Sequence, residues 1–349
     1  MRRNNNDESL KPSFFMKEGF LLYRDIGREA SFMGLLERLK THVLTADGAI
    51  GTVLYGYGLE YCHEEMNVQR PELIEKIHRE YIAAGADIIQ TNTYGANAIK
   101  LARYGLESRV QQFNEAAITI AKRAAADGGQ FVLGTIGGIR GGIRKSDATL
   151  DEILATIEEQ ASVLLAGNPD GLLLETYYDF EELTATLKML REKTNLPIIA
   201  QVSMHEPGVL QNGMSLNNAL HELEALGADI VGVNCRLGPH HTILAFEGVE
   251  LPNKAFMSAY PNASLLDLED GRVVYESEAD YFGRAAVELR DQGVRLIGGG
   301  CCGTTPKHIA AAKKYLEELS PVRRSMRNLK RLRLYVKRSH QSMSLFMKK

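Results

Sequence analysis

The sequence predicts an α/β protein built as a (β/α)8 TIM barrel, and three observations lead there. A short apolar run, a polar loop and a longer segment of helical period recur eight times along the chain. Eight such units in about 280 residues match the count and length of this barrel. The apolar runs are nearly continuous rather than alternating, which marks strands covered on both faces, as in a parallel sheet. A doubly wound open sheet is the alternative. It calls for a G-x-G-x-x-G loop after the first strand, and DGAIGTVL carries two glycines without that pattern.

The units follow in order. HVLTA, with Asp47 at the strand exit, opens the series, and RPELIEKIHREYIAAGA follows with Pro71 near a helix start and Gly85 near its end. DIIQTNTY (87–94) precedes a helical stretch broken near Gly105. QFVLGTIGG (130–138) precedes TLDEILATIEEQASVLLAG, and GLLLETYY (171–178) precedes DFEELTATLKMLREKT. LPIIAQVSM (196–204) leads to NNALHELEALGA, and DIVGVNC (229–235) leads to a helix around HTILAFEGV. KAFMSAYPNA (254–263) is followed by YESEADYFGRAAVELRDQG, and VRLIGGGCC (294–302) by TPKHIAAAKKYLEEL.

The barrel is expected over residues 33–322. Residues 1–32 read as a polar extension, and Met33 is itself a candidate start of translation. Residues 323–349 form a basic tail with ten Lys/Arg and no acid, read as a solvated or frayed helix. The net charge of −3 hides this asymmetry: residues 33–322 keep 25 basic and 39 acidic side chains, a net of −14. An acidic body argues against sequence-independent nucleic-acid binding. No apolar run reaches the roughly 18–20 residues that span a bilayer, and the N-terminus lacks a secretory h-region. Four cysteines in 349 residues make no disulfide framework. The expectation is a reducing cytoplasm.

In such a barrel the chemistry sits at the C-terminal ends of the strands. Cys235 ends the sixth strand and Cys301 and Cys302 end the eighth, so all three should face one mouth. Adjacent cysteines close a disulfide only with strain. They bind one metal where the backbone turns sharply, and Gly298, Gly299, Gly300 and Gly303 permit such a turn. Three sulfurs suit tetrahedral Zn2+, and three protein ligands with one open position form the catalytic pattern. The plainer reading is that each cysteine is a small buried hydrophobe. Cys62, in the polar stretch YCHEEMN, reads as an incidental thiol, and His63 beside it as a solvated histidine.

DGAIGT, TNTYGAN, GTIGG, LLLETYYD, VGVNC, YPNA and GGCCGTTP, in this order, resemble the homocysteine S-methyltransferase family over about residues 33–320. QTNTYGAN, GTIGGIR, VSMHEPGVLQ and NCRLGP are most similar to the N-terminal half of bacterial bifunctional homocysteine S-methyltransferase/5,10-methylenetetrahydrofolate reductases. There a second, reductase barrel follows; here the basic tail does, so the reductase activity is not carried over.

The resemblance implies Zn2+ on Cys235, Cys301 and Cys302, with the sulfur of homocysteine as the fourth ligand and methionine as the product. A free thiol is only a few per cent thiolate at neutral pH, and coordination deprotonates it. The resemblance places Asp47, Gly48 and Glu175 against the amino-acid portion of homocysteine, the two carboxylates suiting its ammonium group. Read alone, Asp47 is an Asx turn and Glu175 a helix N-terminal acid. The resemblance also puts Asn262 at the metal when substrate is absent, and Asn234 and Thr91 in the wall of the pocket. The methyl donor is left open among S-methylmethionine, S-adenosylmethionine, betaine and methyltetrahydrofolate acting through cobalamin. Without a D-x-H-x-x-G motif, a cobalamin carrier or a reductase would be a separate partner. No membrane partner is expected. A non-catalytic homocysteine- or zinc-responsive module is the alternative function.

Overall fold

A computed structural model describes residues 33–322 except 60, 142–145, 205, 265–266, 270–271, 275–277 and 300. The expected N-terminal extension, the basic tail and Gly300 lie outside the described residues. Eight strands close into a barrel: β1 (Leu44–Gly48), β2 (Ile88–Gln90), β3 (Phe131–Gly137), β4 (Gly171–Tyr177), β5 (Ile198–Val202), β6 (Ile230–Asn234), β7 (Phe256–Tyr260) and β8 (Val294–Gly299). Every neighbouring pair is parallel, including β8 with β1, which closes the ring.

Each strand feeds a helix: α1 (Pro71–Ala83), α2 (Val110–Ala125), α3 (Leu150–Ala166), α4 (Phe180–Lys193), α5 (Leu216–Ala225), α6 (Pro239–Phe246), α7 (Ala279–Asp291) and α8 (Pro306–Leu316). Their starts are written locally. Thr149 and Glu152 form a reciprocal capping box on α3, and Asp179 and Ser215 accept the N3 backbone N–H of α4 and α5. Proline stands in the first turn of α1, α6 and α8, where its missing N–H costs nothing. The break at Gly105 is real: its φ is +69°, and the chain turns there before α2.

The apolar runs supply two cores. Strand side chains pointing outward meet the helices, as Leu172, Leu174, Ile198 and Val231 do beside Leu183, Leu187 and Leu220. Those pointing inward, Ala46, Ile88, Leu133, Leu173, Ile199, Ile230 and Leu296, fill the barrel together with Tyr260. A short helix, Leu35–Thr41, places Leu35 and Leu39 in this inner cluster. Arg295 Nη1 holds the end of that helix through the carbonyls of Leu39 (2.7 Å) and Lys40 (3.0 Å). Replacing the fully buried Leu39 by alanine should cost about 2–5 kcal/mol. The sequence did not announce a two-stranded antiparallel hairpin, Asp267–Glu269 with Arg272–Val274, in the connection from β7 to α7.

Candidate active site

Strand exits bring the chemistry together. The Sγ atoms of Cys235, Cys301 and Cys302 lie within 4.8 Å of one another, the single such group of three His, Cys, Asp or Glu side chains among the described residues. Tetrahedral zinc with Zn–S near 2.3 Å asks for sulfurs about 3.8 Å apart, so the donors fit a metal in number, kind and spacing. Cys301 is buried, while Cys235 and Cys302 are half-buried. Hydrogen bonds to Cys235 and Cys302, together with burial, push the Cys301 thiol well above its usual range. Cys235 is also raised: the lowering by its contact with Cys301 is outweighed by Cys302 and burial. Three thiols packed this way resist ionising together unless a cation joins them.

The local backbone explains the convergence. Cys235 and Arg236 both adopt left-handed φ (62° and 64°), so the chain turns sharply as β6 ends. Cys235 N donates to Tyr260 O at 3.0 Å, and Ala263 N donates to Cys302 O at 3.0 Å, tying the exits of β6, β7 and β8. On the other flank, Thr304 Oγ1 donates to Cys301 O (2.7 Å) and accepts from Ala49 N (3.1 Å). The Tyr81 hydroxyl reaches Thr304 O (3.1 Å) and Ala49 O (3.3 Å). Gly298 admits the Tyr260 ring, since a Cβ there would stand 2.8 Å from it.

Two carboxylates are buried in the same barrel. Asp47 accepts from Gln90 N (3.0 Å) and Gln90 Nε2 (2.8 Å), yet burial still pushes its pKa up to about 7. Burial raises Glu175 to about 8, against the pull of Lys100 and with Asp47 and Cys302 adding to the rise. Lys100 is the buried counter-cation. Its Nζ sits 3.3 Å from Tyr94 O and 3.6 Å from the centre of the Tyr94 ring, and burial lowers it to about 8. Carboxyls and thiols near enough to raise one another are electrostatically poised for added positive charge.

The remaining expected residues divide. Asn262 is buried beside the β7 exit, its N–H on Leu237 O (2.9 Å) and its Oδ1 without a hydrogen-bond partner. A buried amide oxygen left unpaired costs free energy and suits a cation or ligand donor. Asn234 is buried and bonded to Thr176. Thr91 is also buried; its hydroxyl lies 2.6 Å from Thr93 Oγ1 and accepts from Thr135 N at 3.0 Å, a brace between β2 and β3. Gly48 continues β1 directly after Asp47, pressed against Tyr81. Sequence reasoning missed Gln90, Lys100, Thr176 and Thr304; a glutamine inside the apolar run DIIQ was the one visible signal. Cys62 differs from its polar surroundings. It is buried with Ala96, Leu101, Val110 and Phe113, and burial and Glu64 push its thiol up to about 12. The ring of His63 is bonded to Leu59 O (3.0 Å).

Comparison with known proteins fixes the family. Residues 44–316 match the family model described as homocysteine S-methyltransferase. Methionine synthase of Mycobacterium tuberculosis is 33% identical over 294 residues, covering 79% of this chain, and that of Mycobacterium leprae is 32% identical over the same length. The chain spans about a quarter of the length of these relatives, 25% and 24%. The metallated form of the homocysteine methyltransferase MmuM from Escherichia coli superposes with a TM-score of 0.64 at 25% identity, covering 78% of this chain and 96% of that one. Its oxidised form gives 0.65 at 24% identity, covering 78% and 95%. These relatives do not bear on the finer likeness to reductase fusions. By fold and by the family model over most of its length, the chain belongs to the homocysteine S-methyltransferase family, a family of methyltransferase enzymes.

Proposed function

We propose that the protein transfers a methyl group to the sulfur of homocysteine, giving methionine, at a site where Cys235, Cys301 and Cys302 hold Zn2+. The observation that carries this reading is the meeting of three sulfurs within 4.8 Å at strand exits of the barrel that also buries Asp47 and Glu175. Zinc on three thiolates, when bound, supplies the charge that strips the proton from an incoming thiol and leaves its sulfur nucleophilic.

The chain's own residues do the rest. Asp47 and Glu175 receive the ammonium group of the amino acid, whose positive charge offsets the desolvation that raises both carboxyls. Gln90 fixes the Asp47 carboxylate through both oxygens, so the ammonium meets an oriented acceptor. Gly48 lets Tyr81 pack against β1 at this point, and Asn262 Oδ1 stands ready to serve the site before substrate enters. Thr91 and Asn234 support the wall from behind. The sulfur then attacks the methyl carbon: the S–C bond forms, the donor–methyl bond breaks, and its electron pair leaves with the donor.

The donor is a small molecule or a methyl group borne by a carrier. A reducing cytoplasm suits a site of three free thiols. Among the described residues no helix is long and apolar enough to cross a membrane. We also assign the barrel to residues 33–322, with 1–32 and 323–349 as appendages. Turnover tests the function: the zinc-loaded protein with homocysteine and, in turn, S-methylmethionine, S-adenosylmethionine, betaine and carrier-bound methylcobalamin should yield methionine from one of them. Homocysteine binding without methionine from any donor would instead favour a non-catalytic homocysteine-responsive module.

A further inference from the structure

Asn234 and Thr176 form a reciprocal pair between β6 and β4, the two strands that flank β5. Thr176 N donates to Asn234 Oδ1 at 2.7 Å, and Asn234 Nδ2 donates to Thr176 Oγ1 at 2.7 Å. The first bond settles the amide's orientation, because a backbone N–H cannot accept. The Nδ2 group therefore has a second N–H, and Cys301 Sγ lies 4.0 Å from that nitrogen. Asn234 is 1% exposed, so the donor is shielded from bulk solvent.

The backbone on either side is bent to hold the pair. Thr176 adopts a left-handed φ of 57°, and the β4–β5 register shifts between Leu174 and Tyr177. Cys235, directly after Asn234, is left-handed as well. A threonine held there is strained, and such strain gathers at functional sites. The two bends sit at the exits of β4 and β6, and the Asn234 amide links them.

Resting on the metal reading above, we infer that Asn234 is a positioning residue with two loads. Its free N–H withdraws charge from the Cys301 sulfur and fixes that side chain. Its bonds to Thr176 hold the turn that aims the preceding residue, Glu175. Hydrogen bonds to a metal-bound sulfur lower its donor strength, and outer partners of metal ligands are worth 10–100-fold in affinity.

The experiment uses the full chain with zinc and with Co2+, whose sulfur-to-metal charge-transfer band reports thiolate donor strength. Asn234→Asp keeps the shape and the acceptor for Thr176 N but sets an oxygen where the N–H faced Cys301. It should weaken zinc binding 10–100-fold in a chelator competition and move the cobalt band to lower energy. Thr176→Val, which removes the Oγ1 anchor, should move both readouts the same way and raise KM for homocysteine. Thr176→Ser, which keeps the hydroxyl, should restore them. Asn234→Asp with wild-type zinc affinity and an unshifted band overturns the inference while leaving the metal site intact. Loss in Thr176→Ser equal to that in Thr176→Val overturns the anchoring role. A wild-type protein that takes up neither metal removes the metal reading and this inference with it.

Discussion

Gly48 has no room for a side chain because Tyr81 fills the space: a Cβ there would stand 2.6 Å from the Tyr81 hydroxyl oxygen. That hydroxyl is bonded to Thr304 O, and Thr304 Oγ1 is bonded to Cys301 O, so one contact joins the Asp47 turn to the cysteine turn. Gly48→Ala should push the Tyr81 ring aside and cost about 1–3 kcal/mol, the usual range for overpacking a filled interior. Zinc affinity should fall alongside stability. Urea unfolding and metal titration of the variant measure both, and a variant with unchanged stability and metal binding would show that the contact is slack.

Each cysteine of the cluster should be required for metal. Cys235→Ala, Cys301→Ala and Cys302→Ala each leave two thiols for one ion, and tetrahedral zinc then lacks a protein ligand. Zinc content measured after dialysis should drop from one ion per chain to nearly none in all three. Cys62→Ala, which alters a thiol packed among Leu101, Val110 and Phe113, should keep its metal. A cluster variant that retains full zinc leaves the ligand set.

The two buried carboxyls should separate from the cysteines in their effects. Under the proposed function, Glu175→Gln and Asp47→Asn remove a charged partner for the ammonium group of homocysteine without touching a sulfur. A hydrogen bond to a charged group is worth about 1.5–3 kcal/mol, so KM for homocysteine should rise roughly 10–100-fold at unchanged zinc content. Calorimetric titration of homocysteine into each variant checks this. Wild-type affinity in either one would take that carboxylate out of the ammonium site.

Much of this was legible in the sequence. A strand buried on both faces must be apolar throughout, so Leu172–Leu174 and Ile198–Ala200 announced themselves. The cysteines were legible because a barrel sends every strand exit to one end, so Cys235 and the 301–302 pair had to meet. Pairings between polar groups were hidden. Nothing in the helical stretch around Lys100 marks it for burial, yet it is 9% exposed, its Nζ set against the Tyr94 ring. Asn234 and Thr176 stand 58 residues apart, and nothing in either motif names the other. Periodicity tells which face of an element turns inward; it does not tell which distant backbone N–H awaits an inward amide.

His78 in α1 should make the fold acid-sensitive. The ring is fully buried and neither nitrogen has a hydrogen-bond partner; burial lowers its pKa from 6.5 to about 4, against a small upward pull from Glu75. The unfolded chain therefore binds a proton that the folded chain refuses between these two values. Stability rises with pH through that window and is lost as pH falls from 6.5 toward 4. Asp47 and Glu175 act in the opposite sense, since their folded pKa values lie above the ordinary carboxyl range. The comparison that isolates the histidine is thus wild type against His78→Leu, a residue of similar volume without nitrogen. Urea unfolding of both at pH 7 and pH 5 should show the wild type losing about 2 kcal/mol more than the variant. Equal losses would mean that His78 protonates in the folded state without penalty, and that its ring finds a partner other than the apolar packing of α1.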